Sequence, residues 1–432
     1  MSRRERLIPF ASNIYFAGLK SGIRMAGMKK KKLVAPKPPG RGAALETRRQ
    51  LKMAKSAHAY VRGNTLQFYE WLQTESAASL PKGPPIWICG DCHVGNLGPV
   101  GNSDGKIELA IRDLDQTVIG NPAHDLVRLG LSLATAARGS DLPGVTTARM
   151  IEQMTEGYQE ALAFRRKQKV KKGKVPDPVQ KVLKQALRRR WKNLANERIE
   201  GVSPKIPLGE RFWALSKEER LGVKELFETE AVRKLVTCLQ DREDDAPIEV
   251  VDAAYWMKGC SSLGRLRYAI LVRVGKTKGT EEKVCLIDIK EGVPAAAPRA
   301  RGSRVFKDHA ARVVEGAVNL SPFLGGRMLP ATLLGRSVVM RELLPQDLKL
   351  EMESLTVDEA VAAARHLAFV VGRAHARQME AKTRKKWREA LNRSRLKTLD
   401  APSWLWKSVV ELVARHEAAY LEHCRQYALQ TK

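Results

Sequence analysis

Long apolar runs are missing from this 432-residue sequence. None approaches the roughly 20 consecutive apolar residues of a bilayer span, so no membrane-crossing helix is expected. Cysteine is scarce and dispersed: Cys89, Cys92, Cys238, Cys260, Cys285 and Cys424 lie too far apart for a disulfide framework, which fits a reducing compartment. The stretch "MSRRERLIPFASNIYFAGLKSGIRMAGMKKKK" has no unbroken apolar segment, because Lys20 and Arg24 interrupt it, and no small-residue cleavage site follows. A cytoplasmic location is expected, with a transit peptide left open for a eukaryotic source. Acidic residues are also short, 47 against 76 Lys and Arg. The net charge of +29 predicts attraction to polyanions such as nucleic acid, nucleotides or anionic membrane surfaces, and is silent on the fold.

Hydrophobic residues make up 44% of the chain, and its length allows two or more domains with a sizeable core. Residues 1–45 read as a basic, flexible lead ending in the linker-like "VAPKPPGRGAA". Residues 46–245 read as a mostly helical lobe. Within it the turn "NSDG" joins the short apolar runs Leu97–Val100 and Ile107–Ile111 into a small hairpin. Pro122 marks the start of a helix in "GNPAHDLVRLGLSLATAAR". Residues 246–345 are β-rich, with clean alternation in "RYAILVRV", and residues 346–432 return to helices, among them Asp358–Met379. The expected class is α+β. The segment 164–193, "FRRKQKVKKGKVPDPVQKVLKQALRRRWKN", holds a single acid, Asp177. It is either a solvated helical face with a basic loop or a polyanion-binding surface on which Trp191 would stack.

The stretch "WICGDCHVGNLG" fits two incompatible chemistries. Cys89, Cys92 and His93 have the spacing of covalent haem attachment. That attachment needs export or a maturation compartment, to which nothing directs the chain, and no second Cys or His pair completes a zinc site. Asp91 and Asn96 have the D-x-x-x-x-N spacing of a kinase catalytic loop. Beyond them, Asp113 lies at the end of the apolar run in "IRDLD". Phosphoryl transfer needs a group that orients the acceptor hydroxyl and takes its proton, and two oxygen ligands for Mg²⁺. Asp91 suits the first role, and Asn96 and Asp113 the second, with Asp115 as a further metal-side carboxylate. His93 is expected beside Asp91 as the second catalytic-loop residue, bracing that loop. Asp125 either holds that loop by accepting backbone N–H bonds or is a plain first-turn acid facing the helix dipole.

Together, "CGDCHVGNLG", "IRDLD" and "GNPAHDL" resemble the "HGDLHxGN", "IDF" and "GDPAYDL" run of aminoglycoside phosphotransferases and related kinase-like enzymes. Between Met53 and Arg377, the motifs "GDCHVGNLG", "IRDLD", "GCSSLG", "IDIKEG", "RVVEGA", "MREL" and "GRAHAR" are similar to those of a bacterial family known only as domain of unknown function 2252. That label implies no activity. The kinase-like resemblance implies a two-lobed fold with ATP and Mg²⁺ as cofactors. "GCSSLG" keeps the outer glycines of G-x-G-x-x-G, Gly259 and Gly264, with Ser261 and Ser262 between them, and would cover the nucleotide. Lys290, ending "VCLIDIK", would reach the nucleotide phosphates. Glu315, in "AARVVEGAV", is either its ion-pair partner or a solvated helix acid. "VVMRELLP", which carries Arg341, would lead into a hinge facing the adenine ring, and His375 is either a site residue or a core histidine.

In ordinary kinases the Gly-rich loop and lysine precede the catalytic loop. Here Asp91 and Asp113 come first, which predicts a circularly permuted kinase-like fold with Asp358–Met379 packed beneath the Asp91 loop. The expected function is an ATP- and Mg²⁺-dependent phosphotransferase acting on a hydroxyl of a small molecule or protein, with AMP transfer left open. The alternatives are a non-catalytic nucleotide-binding regulator, suggested by Ser261, and a nucleic-acid-binding protein acting through 164–193 and the basic lead.

Overall fold

The structure is a computed structural model that describes residues 38–163, 175–203, 205–239, 242–260, 263–275, 283–348, 355–393 and 401–427. Apolar residues at helical spacing first give α1 (Arg41–Met53), α2 (Ala57–Gly63), α3 (Thr65–Trp71) and the short α4 (Glu75–Ala78). Four short strands follow: β1 (Ile86–Ile88), β2 (Leu97–Gly101), β3 (Ile107–Ile111) and β4 (Val118–Gly120). β2 and β3 form the hairpin closed by "NSDG", and β1 pairs with β4 on either side of it. α5 (Pro122–Gly139) starts with Pro122 in its first turn and Asn121 accepting the Ala123 N–H at 3.1 Å. After it come α6 (Gly144–Ala163), α7 (Asp177–Arg188) and α8 (Trp191–Ile199).

The chain then turns to strands. β5 (Phe212–Ala214), α9 (Lys217–Phe227) and α10 (Glu230–Thr237) precede β6 (Ile248–Trp256), β7 (Arg267–Val274) and β8 (Lys283–Glu291). α11 (His309–Leu320) and α12 (Pro322–Gly325) lead to β9 (Met328–Leu333) and β10 (Arg336–Glu342). The strands from β5 to β10 make one antiparallel sheet in the order β5-β6-β7-β8-β10-β9. α13 (Val357–Ala376), α14 (Ala381–Asn392) and α15 (Ser403–Tyr427) return to helix. A capping box starts α13: Thr356 accepts the Glu359 N–H, and the Glu359 carboxylate accepts the Thr356 N–H.

The period of two in β7 sorts its side chains between two cores. Tyr268, Ile270, Val272 and Val274 join α1, α9 and α10 on one face of the sheet, while Ala269 and Leu271 join α8 on the other. β8 does the same. Cys285, Ile287 and Ile289 face the first core; Leu286 faces the second, and Asp288 and Lys290 share its parity. A third core belongs to the helices, with Leu129, Met154, Leu367 and Leu412 at its centre. α6 and α13 approach so closely that a Cβ on Gly157 would be driven into the carbonyl of Arg365. Gly157→Ala is therefore expected to cost about 1–3 kcal/mol in urea unfolding. An unchanged midpoint would refute that close crossing.

Two expected boundaries move. The lead does not run to residue 45, because Arg41 is buried against Glu219 at 2.7 Å and Leu45 enters the sheet's core. Residues 1–37 lie outside the described residues. The helical lobe likewise does not extend to 245, because Phe212, Trp213, Val223 and Val232 pack with the sheet. β5 and β9 had no expectation in the sequence. Both are edge strands, whose short or weakly alternating runs give little periodic signal.

Candidate functional site

Asp91 lies in the loop between β1 and β2, where Gly90 takes φ +77° and presses against the Gln116 carbonyl, so that a Cβ there would collide. Helix α5 fixes this loop from below. Both Asp125 oxygens accept backbone N–H bonds, from Cys89 at 2.8 Å and Gly90 at 2.9 Å. Asp125 and His375 are fully buried and 3.1 Å apart. The other ring nitrogen of His375 meets Tyr158 Oη at 2.8 Å, and that oxygen accepts from Trp387 Nε1 at 3.1 Å. The chain Trp387–Tyr158–His375–Asp125 thus ties α14, α6, α13 and α5 to the two peptide groups before Asp91. His375 is a satisfied core histidine that acts on the loop through Asp125.

Asp91 itself is 9% exposed. One oxygen accepts from Arg128 Nε at 2.8 Å and the other from Thr65 Oγ1 at 3.3 Å. Burial pushes its carboxyl above the ordinary range, and Arg128 works against that rise. His93 Nε2 stands 3.8 Å away; burial and then Arg62 and Arg128 hold its imidazole well below its usual pKa, so it is neutral at pH 7. Asn96 donates its amide to the Asp91 carbonyl at 3.0 Å, which leaves its Oδ1 for a ligand. Cys89 and Cys92 are wholly buried thiols. The Cys89 thiol is held far above its usual value by its hydrogen bond with Cys92 and by burial, so the haem-like spacing is packed core with no face for a porphyrin.

From the sheet, Lys290 reaches over the hairpin to the "IRDLD" loop. Its Nζ lies 3.6 Å from Asp113 Oδ1 and in direct contact with Asp115 Oδ2. Burial alone would raise the Asp113 carboxyl, but Lys290, Arg341 and Arg267 overcome it and hold Asp113 well below the carboxylate range. Asp115 moves up, through burial and then the negative charge of Asp113. Both carboxylates thus share the Lys290 ammonium, and Arg267 acts on each of them, with Arg341 beside Asp113. Arg341 donates to the Arg112 carbonyl at 2.9 Å and lies 3.8 Å from Asp288. Gly259 and Gly264 take φ +91° and +95°, the region that favours glycine, at the two ends of the β6–β7 loop. Ser261 and Ser262 lie outside the described residues.

Glu315 does not pair with Lys290. The phase of α11 turns Arg312, Val313, Gly316 and Ala317 inward, so Glu315 faces solvent and meets Arg304 at 3.0 Å. Arg312 takes the inward place and donates to the carbonyls of Asp115, Thr117 and Val293. Arg128, Arg267 and Asp288 had escaped the motif reading. Asp288 and Arg267 form a buried bidentate pair at 2.8 and 2.5 Å. Asp288 precedes Lys290 by two residues, so strand parity alone would have placed it on the same face. Arg128 follows Asp125 by three, one turn along α5.

Around Asp113, Asp115, Asp288, Lys290 and Arg341 the cleft encloses a cavity of only ≈ 20 Å³. A larger cavity of ≈ 860 Å³ lies where Leu343, Leu344 and Pro345 follow β10, opposite Trp191 and Val284. Of the basic stretch 164–193, the part from 175 is described. There Arg189 is engaged by the Pro345 carbonyl at 2.7 Å and by Glu197, so it is bound within the fold. Among the described residues no group of three or more His, Cys, Asp or Glu side chains has metal-site geometry. No helix among them is long and apolar enough to cross a membrane. An ionised Asp113 and the Asn96 carbonyl still suit Mg²⁺, a hard cation that takes one or two protein oxygens and completes its shell from phosphates and water.

Fold and site together define a mixed helix-and-sheet protein in which loop carboxylates meet sheet cations in one narrow cleft. The chain belongs to the bacterial family described as "uncharacterized protein conserved in bacteria (DUF2252)", whose model matches residues 41–426. No curated protein and no solved structure matches it.

Proposed function

We propose that this protein is an ATP- and Mg²⁺-dependent phosphotransferase of kinase-like, circularly permuted fold. The observation that carries the reading is the meeting of Lys290 with Asp113 and Asp115, residues of the sheet and the hairpin that are far apart in sequence. The strand order β6-β7-β8-β10-β9 supports it, as does a glycine-bounded loop between the first two strands and a lysine at the end of the third. The position of α13, which reaches the Asp91 loop through His375, fits the permutation.

In this reading Asp91 orients the acceptor hydroxyl and takes its proton, while Arg128 holds the carboxyl in place and opposes the rise that burial causes. The new acceptor O–P bond forms as the bond to the leaving diphosphate oxygen breaks. Bound Mg²⁺ would neutralise charge on the nucleotide phosphates, held by Asn96 and Asp113. Lys290 would exchange Asp115 for a phosphate oxygen, with Arg267 and Arg341 adding positive potential nearby. The cavity beside Leu343–Pro345 has the volume of a small-molecule site and would take the base.

The test is thermal unfolding with ATP and Mg²⁺. Wild type is expected to be stabilised, by about 2.7 kcal/mol at a hundredfold excess over Kd, and Asp113→Asn should lose the shift. No shift in wild type at millimolar ATP would overturn the reading. One observation favours a second reading, a nucleotide-binding regulator without turnover: the Lys290–Asp115 contact leaves little room in the cleft. Binding of ATP with no ADP release across a broad panel of hydroxyl acceptors would favour it.

A further inference from the structure

Arg62, near the end of α2, is partly buried and makes no hydrogen bond or ion pair among the described residues. Its guanidinium lies against the catalytic loop. A Cβ on Gly95 would stand 3.0 Å from Arg62 Cζ, 3.1 Å from one terminal nitrogen and 3.1 Å from His93 Cε1. Arg62 Nε is buried, whereas the two terminal nitrogens keep accessible surface and remain free to donate. A guanidinium stays charged at every working pH, so an unpaired one held in a cleft is a ready partner for an anion.

The surroundings add positive charge and little to balance it. Arg128 anchors α2 here, donating to Asp91 and to the Val61 carbonyl, each at 2.8 Å. Gly63 packs on Cys260, and Lys52 of α1 donates to the Gly259 carbonyl at 2.9 Å. A neutral carbonyl leaves the Lys52 charge uncompensated. α1 and α2 together hold one acid, Glu46, and Arg49 and Gln50 engage it. The cations that act on Asp113 are different ones, Lys290, Arg341 and Arg267, while Arg62 acts on His93. Positive charge is thus divided between the metal side of the cleft and the far side of the Asp91 loop.

We propose that Arg62, with Lys52 behind it, recognises an oxyanion on the acceptor, so that the substrate is a hydroxyl compound carrying its own phosphate or carboxylate. This inference rests on the phosphotransferase reading and names its acceptor class. Two terminal guanidinium nitrogens form a fork that fits either oxyanion. A polycationic acceptor such as an aminoglycoside would meet like charge at the same place.

Calorimetric titration with glycerol 3-phosphate, glycerate and glycerol at fixed ionic strength tests it. A Lys290→Ala background keeps anions held near Asp113 from being counted. Saturable binding of at least one anion is expected, with none of glycerol, and the anion that binds tells phosphate from carboxylate. Arg62→Gln removes the charge without breaking a bond of the fold, and should weaken binding about tenfold or more. Arg62→Lys should recover part of the loss, and the urea midpoint of both variants should stay at the wild-type value. The ATP–Mg²⁺ thermal shift separates the two ideas. No saturable anion binding, equal binding of glycerol, or binding that Arg62→Gln leaves unchanged overturns the inference even where ATP and Mg²⁺ stabilise the protein. Arg62-dependent anion binding in a protein that ATP and Mg²⁺ fail to stabilise overturns the acceptor role together with the phosphotransferase reading.

Discussion

Asp125→Ala is expected to destabilise the protein by about 2–5 kcal/mol, the cost of leaving several buried donors without an acceptor at about 1–3 kcal/mol each. Asp125 is fully buried and accepts three bonds, from the N–H groups of Cys89 and Gly90 and from His375. Alanine would leave two peptide donors and an imidazole nitrogen without acceptors in a region that water does not reach. Asp125→Asn keeps one acceptor oxygen and should fall between the two. Guanidinium unfolding followed by circular dichroism reads the difference. A loss under about 1 kcal/mol for the alanine variant would mean that the loop is held by something else. Because the same bonds set the backbone just before Asp91, the phosphotransferase proposal also expects the asparagine variant to lose turnover out of proportion to its stability.

Under the phosphotransferase proposal, Asp91→Asn is expected to lower phosphoryl transfer by about 10²–10⁴, the usual worth of a positioned acid–base group. Asparagine is the better substitution, because Arg128 is wholly buried and its Nε donates to Asp91 Oδ1. Alanine there would leave a guanidinium unpaired and confound chemistry with folding. Acceptor-dependent ADP release measures turnover, and the ATP–Mg²⁺ thermal shift measures binding. Asp91→Asn should keep the shift and lose turnover, whereas Asp113→Asn should lose the shift itself. Full activity in Asp91→Asn would remove Asp91 from the proton-transfer role.

The local elements of the site were legible in the sequence. The "NSDG" turn between two short apolar runs produced β2 and β3, Pro122 opened α5, and alternation in "RYAILVRV" produced a strand with one face on each core. Each depends on residues within a few positions of one another. The hydrogen bonds of Asp125 to the loop were one of two readings open for a first-turn acid, and tertiary contact selected between them. Glu315 went the other way. Its motif suited a partner for Lys290, but the phase of α11 sends Arg312 inward and Glu315 out.

What the sequence determined by itself is therefore periodic and local: which segments are strands or helices, where turns fall, and that Asp91, Asn96 and Asp113 belong to one loop–hairpin unit. Tertiary structure alone decided which charges meet. Lys290 finds Asp113 and Asp115, Arg128 finds Asp91, and Arg267 finds Asp288 because packed faces bring distant residues to within hydrogen-bond reach. A buried charge needs a counter-charge or donors at a few ångströms, and which one it obtains depends on helix phase and sheet register, quantities fixed only when the cores close.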